Sequence, residues 1–460
     1  MDVFLATLKS VIDSLGATVV LPILIFIFAV IMGAKPGKAF RAGVTIGVAF
    51  IGINLVIGLM WGTLSDAAQA MVTNWGIHRD VVDVGWPSAA AIAFGTDVGL
   101  WIIPIAFLVN FIFLGLRVTK TLNIDIWNFW HFAFVGSIVY MVTGSIAYGM
   151  LASAVTAAFA LFLADWTAKA VQPFYNLPGI SITTLSSSHT IPFAIVTDWI
   201  IDKIPGVRDW KADPETIQKR LGIMGDPIIL GLVIGLALGI LGFYNAENAV
   251  VRILQTGMNL AAVMLLLPRM AKILMEGLLP ISDAAREFMA KRSSDREIYI
   301  GLDSAIIIGH ESTMAASFIL VPIAILLSII LPGNRVILFA DLAAIPFFIV
   351  IFGPLMKGNI FRMTVAGTLF LIAGFYMATA MGPLFTQAAE NAGFAIPENA
   401  AMITAMGDGF MWTPFFFAKI SEWIGVAGIL LFAVLIAIGW FLYAKNPRAW
   451  ELAVGAPAED

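Results

Sequence analysis

Residues 301–313 read Gly-Leu-Asp-Ser-Ala-Ile-Ile-Ile-Gly-His-Glu-Ser-Thr, so two acids, a histidine and three hydroxyls run straight into the apolar stretch 314–331. Ionisable groups such as Asp303, His310 and Glu311 cost about 2.5–3.5 kcal/mol each at membrane depth and are rare there without a purpose. They either serve a site inside the bilayer or stay in water at its edge, and both readings are open. Carboxylates and imidazoles can accept from and donate to the adjacent hydroxyls of a neutral polyol, with an aromatic face against its C–H side. They can also relay protons, as in a symporter. Metal binding by His310 and Glu311 is the weakest match, because the two are adjacent and no third ligand has recognisable spacing.

Three other stretches carry the same residue types. Asp83-Val84-Gly85-Trp86-Pro87 is followed by Asp97, Trp127-Asn128-Phe129-Trp130-His131 is dense in polar and aromatic groups, and Ser186-Ser187-Ser188-His189-Thr190 lies between Pro178-Gly179 and Pro192. The candidate substrate-binding residues are Asp83, Trp86, Asp97, His131, His189, Asp303, His310 and Glu311. The fourth histidine, His78, sits in an amphipathic piece expected to face water. Each candidate has an alternative role. Asp83 can cap the element that follows, Trp86 and Trp127 can be interface aromatics, and His131 can satisfy a buried carbonyl. Asp125 and Asp341 stand at helix starts, which favours N-capping.

The elements that must position these groups are built for lipid. The 460 residues are 60% hydrophobic and only 12% charged, about half the charge of a soluble domain. The fold class is therefore an all-α polytopic membrane protein. The absence of cysteine excludes a disulfide framework, a zinc–thiolate site and a cysteine nucleophile. No GxxxxGK[ST] loop is present. No cofactor, metal or nucleic-acid partner is expected. The N-terminal run, interrupted by Asp2 and Asp13, does not read as a cleavable signal.

Apolar runs long enough to cross a bilayer fall near 15–33, 43–61, 99–116, 131–148, 150–165, 227–243, 250–268, 315–331, 341–356, 364–381 and 424–443, about eleven transmembrane helices. Placing the N-terminus outside and the C-terminus in the cytoplasm puts 21 Lys and Arg inside against 5 outside, in keeping with the positive-inside bias. Residues 66–98 and 172–200 are too polar to cross and too apolar for solvated linkers, so they read as re-entrant or interfacial elements. Residues 202–226 and 282–296 read as charged cytoplasmic loops, the second helical.

A shift of 218 residues lays Ile103–Ile112 on Val321–Ile330 with five of ten positions identical, and carries Asp83–Pro87 onto Gly301–Ala305. A two-residue adjustment lays Ile124-Asp125-Ile126 on Ala340-Asp341-Leu342. The paired helices run in opposite senses under the charge rule, which gives an inverted 5+5 repeat plus one helix. The expected division is a first repeat at 1–170, a polar re-entrant segment and cytoplasmic loop at 171–225, a second repeat at 226–390, and an external segment, last span and tail at 391–460. Inverted repeats hold substrate near the midplane at corresponding broken elements of alternating-access transporters.

Asp83-Val84-Gly85-Trp86-Pro87, Asn123-Ile124-Asp125-Ile126-Trp127-Asn128 with Trp130-His131, Lys203-Ile204-Pro205-Gly206-Val207, Gly301-Leu302-Asp303 with Gly309-His310, and Pro332-Gly333-Asn334 with Asp341-Leu342-Ala343 together carry a resemblance. From Leu15 to about Tyr443 the chain resembles the galactitol-type membrane component (IIC) of bacterial phosphoenolpyruvate-dependent phosphotransferase systems, in the ascorbate–galactitol superfamily. The resemblance implies a multi-pass inner-membrane permease for a sugar alcohol. It implies a homodimer of mobile core and dimer-forming scaffold, moving by an elevator mechanism. It further implies partners: a IIB subunit whose phosphocysteine phosphorylates the arriving sugar, and a IIA subunit that recharges IIB. Phosphoryl-transfer chemistry would then reside on the partners, with this chain as the transport subunit. The alternative is a proton- or ion-coupled secondary transporter of a sugar, polyol or ascorbate-like substrate.

The loops 202–226 and 282–296 contain nine Lys and Arg, and local positive charge would aid the approach of an anionic phosphoprotein. Reversing Arg292 and Arg296 to Glu is predicted to slow phosphorylation by IIB while leaving sugar binding intact. Phosphorylation rates equal to wild type at low salt would remove this loop from the docking surface.

Overall fold

The computed structural model describes residues 17–31, 33–76, 79–216, 226–292, 297–338, 340–396 and 400–458. His78, Arg296 and residues 217–225 of the expected cytoplasmic loop lie outside the described residues, as does the side chain of Arg292.

Four helices pack into one group: α1 (Ala17–Ile31), α2 (Pro36–Asn74), and later in the chain α8 (Pro227–Phe243) and α9 (Ala249–Arg292). α2 and α9 hold 39 and 44 residues, which at about 1.5 Å per residue is roughly twice the ~30 Å hydrocarbon core. The amphipathic piece after residue 66 therefore continues α2 as one helix, since no proline interrupts it before Asn74. Likewise the charged segment after 282 is the end of α9. Small residues let these helices approach closely, as lipid-facing helices require. In α8, a Cβ on Gly231, Gly235 or Gly239 would meet the backbone of α9 at 2.7–2.9 Å.

The remaining elements form the second group. β1 (Val81–Asp83) leads into α3 (Trp86–Gly95) and α4 (Ile102–Gly115). Then come β2 (Thr121–Asn123), α5 (Trp130–Thr143), α6 (Ile146–Tyr175), β3 (Ile180–Ile182) and α7 (Ile191–Asp202). After α9 the chain gives β4 (Tyr299–Leu302), α10 (Glu311–Ile330), β5 (Val336–Ile337), α11 (Ile360–Asn391), β6 (Met402–Thr404), α12 (Trp412–Ile424), α13 (Val426–Lys445) and α14 (Pro447–Ala453). Element order thus recurs: β1, β2 and β3 begin at 81, 121 and 180, and β4, β5 and β6 at 299, 336 and 402.

Seven described helices are long and apolar enough to cross a membrane, eight if α3 with α4, bent by 85°, counts as one broken span. The protein is an all-α polytopic membrane protein. Residues 341–356, expected as a span, are instead a 3-10 turn and the short helices Ile345–Ile349 and Phe352–Leu355. Pro346 and Pro354 each remove a backbone donor there, and Gly353 lies between.

Two three-stranded parallel sheets, ordered β5-β1-β6 and β2-β4-β3, sit where the helices break. Val81 pairs with Val336 and Met402, and Ile300 with Leu122 and Ile180. The middle strand of each sheet comes from the opposite half of the chain. Three of the four outer edges, those of β2, β5 and β6, meet side chains. Asn110 donates to the Thr121 carbonyl at 2.8 Å and accepts from the Asn123 amide at 2.9 Å, and Asn334 likewise brackets Val336. The Ile403 amide donates to the Thr386 hydroxyl at 3.0 Å. At the water-facing start of β1, Arg335 clamps Asp80 through Nε at 3.0–3.1 Å, and its guanidinium holds the Asp80 carboxyl below the ordinary carboxylate range.

Gly235→Val is predicted to destabilise the α8–α9 pair by about 1–3 kcal/mol through overpacking. Gly62→Ala, with nothing within 4 Å of its added Cβ, is predicted to be neutral or to gain up to about 1 kcal/mol of helix propensity. Thermal unfolding in detergent reads both, and equal shifts for the two would contradict the packing argument.

Candidate functional site

The break between β1 and α3 is held by acids. Asp83, buried between strand and helix, accepts from the Gly85 amide through Oδ1 at 2.9 Å and from the Asp341 amide through Oδ2 at 2.7 Å. Asp341 in turn accepts from the Trp86 amide through Oδ1 at 2.7 Å, and through Oδ2 from the Met406 and Gly407 amides at 2.7 and 3.3 Å. One carboxylate therefore ties the α3 start to the turn after β6. Neither Asp341 nor Asp125 caps the 3-10 turn that it precedes, contrary to expectation. Asp341 serves amides from two other segments. Asp125 accepts instead through both carboxylate oxygens from Asn128 Nδ2 at 2.9 Å, and through Oδ2 from the Thr184 hydroxyl at 3.3 Å.

The break after β4 is built in the same manner. Asp303 Oδ1 accepts from the Ala305 amide at 2.9 Å and lies 3.3 Å from the Thr184 hydroxyl, which also accepts from the Ser304 amide at 2.9 Å. A hydroxyl has one proton, so Thr184 shares it between Asp125 and Asp303.

Between these breaks and α2 lies a cavity of about 560 Å³, within the usual range for small-molecule sites. Phe50, Asn54, Ile57, Gly58 and Trp61 of α2 form one wall, and Trp86, Trp127, Asn128, Trp130, His131, Ser186, Asp303, Phe347, Phe348 and Gly407 are among those forming the other. The cavity thus lies between the two helix groups. Trp86 meets Trp61 edge-on across it, with ring centroids 6.1 Å apart.

The structure brings Trp86, His131 and Asp303 into this one lining and leaves the other expected residues outside it. Asp83 stands behind the wall as an amide acceptor. Asp97 is exposed at the α3–α4 bend. His189 is fully buried: its Nδ1 lies 3.0 Å from the Leu185 carbonyl and its ring packs edge-on to Phe348 and Phe370. His310 is the N-cap of α10, stacked on Phe174 and bonded to Ser312 at 2.8 Å. Glu311 is exposed in the first turn of α10. Asp408 was not singled out from the sequence. It lies 3.1 Å from His131 Nδ1 and is fully buried. The offset of 222 that carries β3 onto β6 also carries Ser186, a lining residue, onto Asp408, but that offset is visible only once the strands are known.

A multi-pass protein with a cavity lined by aromatic and polar side chains between two helix groups is a permease in form. The chain matches, over residues 10–399, the EIIC-GAT family, described as the sugar-specific permease component of the phosphotransferase system, and belongs to it. It is similar to the galactitol-specific EIIC component of the phosphotransferase system of Escherichia coli, found in two strains, at 38% identity over 447 residues, 97% of this chain and 98% of the relative. A further Escherichia coli permease IIC component is 39% identical over 431 residues, 92% of this chain and 96% of its own.

Asp341→Ala is predicted to leave three amides short of an acceptor and to lower stability by about 3 kcal/mol or more, at about 1–3 kcal/mol per unpaired buried group. Asp341→Asn, which keeps one acceptor oxygen, should fall between. A thermal melt of the alanine variant matching wild type would contradict the assigned role.

Proposed function

We propose that the chain is the galactitol permease subunit of a phosphoenolpyruvate-dependent phosphotransferase system, residing in a bacterial inner membrane with its N-terminus outside. The observation that carries this reading is the convergence of Trp86, His131 and Asp303 on one cavity, in a chain that resembles galactitol-specific relatives along its length. A carboxylate can accept from two neighbouring sugar hydroxyls, and such charge-assisted bonds are about twice as strong as neutral ones. Trp86, Trp127 and Trp130 supply flat apolar faces for the C–H side of an extended polyol. Asp83 serves the site from behind by fixing the turn that presents Trp86. His189, His310 and Glu311 are placed second to these as substrate contacts.

The division of the cavity between two helix groups supports an elevator movement, in which the broken-helix group slides past the four-helix group and carries the sugar inward. In this reading the four-helix group is the scaffold of a homodimer. The two halves would be inverted repeats, at 1–170 and 226–390, continued by the matching elements 180–202 and 402–424. A IIB subunit bearing phosphocysteine would phosphorylate the sugar at the inner face, and IIA would recharge it. The new phosphate, about −1.5 to −2 in charge at pH 7, would prevent return through an apolar barrier.

Asp303→Asn keeps the shape of the side chain and removes its charge. We expect a folded protein whose galactitol affinity is weakened at least about tenfold, or about 1.4 kcal/mol, with little uptake. Wild-type affinity and phosphorylation in that variant would reduce Asp303 to a cap for the following turn. Vesicle uptake with and without phosphoenolpyruvate and the soluble subunits separates this reading from a secondary transporter, which would accumulate unmodified sugar without them.

A further inference from the structure

The turn after β6 contains a buried acid whose geometry serves one group. Asp408 has φ of 65°, on the side of backbone space that favours glycine, although Asp and Asn tolerate it better than other residues. The turn is held there from two directions. Asp341 accepts from the Met406 and Gly407 amides. Gly407 has no room for a side chain, because a Cβ would come within 2.7 Å of the Trp130 ring and 3.3 Å of Trp86. Asp408 itself is 0% exposed, and Oδ1 has no hydrogen-bond partner among the described residues. Oδ2 lies 3.1 Å from Nδ1 of His131, which is 1% exposed. A buried carboxylate is costly to keep, and among the described residues the only side-chain group this one engages is the His131 ring.

We propose that Asp408 is the positioning residue of the substrate site. It accepts a hydrogen bond from His131 Nδ1–H, so Nδ1 always carries a proton and Nε2 is the ring atom left for the cavity. A carboxylate behind a histidine selects tautomer and ring orientation in this way. The Trp130 ring, with its centroid 3.9 Å from that of His131, blocks one face of the imidazole and leaves little freedom besides rotation of the ring. Asp408 acts on the sugar only through His131. The relay from Asp341 through residues 406–408 makes the same acid set both Trp86 and His131. This inference deepens the galactitol reading and rests on it for its functional consequence, but not for its structural one.

The chain has only four histidines, so protein labelled with 15N at histidine gives few ring signals, and those lost in His131→Gln identify His131. Wild type should show Nδ1 of His131 protonated, with a one-bond coupling to hydrogen. In Asp408→Asn, whose side chain fits the same φ, that proton should leave Nδ1 or exchange rapidly. Galactitol affinity should fall by more than about tenfold, approaching that of His131→Gln. An unprotonated Nδ1 in wild type overturns the proposal without any substitution at Asp408. An Nδ1 signal unchanged in Asp408→Asn, or a changed signal with affinity within twofold of wild type, also overturns it. The nitrogen signals need no sugar, so failure of wild type to bind galactitol would count against the substrate assignment and leave the Nδ1 measurement to decide the role of Asp408.

Discussion

Every interruption of a helix within lipid leaves amides and carbonyls that water cannot reach, and each such group costs several kcal/mol if left unpaired. The rest of this structure depends on how that demand is met. At six places among the described residues the chain abandons helix for a strand of two to four residues, and the exposed backbone is taken up by two parallel three-stranded sheets. Three of the four outer edges end on side chains, Asn110, Asn334 and Thr386, rather than on open backbone. Only because the breaks are satisfied can Trp86 and Asp303 leave helical geometry and reach a shared cavity.

The acids follow from the same demand. Asp83, Asp341 and Asp303 each accept backbone amides at a break. Their first task is structural, and only Asp303 combines it with a place in the cavity lining. Intramembrane acidity in this chain therefore has two layers, one that builds the turn and one that faces the occupant. The hydroxyl of Thr184 joins the layers, since it lies between Asp125 behind the wall and Asp303 at its surface.

The helical, lipid-adapted class was legible because it rests on composition, whereas 83–87 and 301–313 drew notice because a shift of 218 residues lays Asp83–Pro87 on Gly301–Ala305. β1 and β4 start 218 residues apart, at 81 and 299. The sheets were not legible, because a strand of three residues has no periodicity to read and is recognised only by its partners. The lengths of α2 and α9 were hidden because hydropathy falls where a helix leaves lipid, whereas the helix itself continues. Asp408 was missed because its meaning lies in His131, far away in sequence, and nothing within residues 391–424 announces that pairing. His310 and Glu311 attracted notice for residue type alone, and type does not say which way a helix start will face.

The exchange of middle strands has a consequence for how the protein is made. β2 and β3 leave the ribosome well before β4, which must come to lie between them, and β1 waits longer still for β5 and β6. Neither half can complete its own sheet during synthesis. The first half must persist in the bilayer with unpaired strand edges until the second arrives, the kind of long-range pairing that slows assembly and invites mispairing. Assembly thus closes in two late steps, the β2-β4-β3 sheet once β4 is made and the β5-β1-β6 sheet only with β6, and a chain truncated before β4 would leave both sheets open.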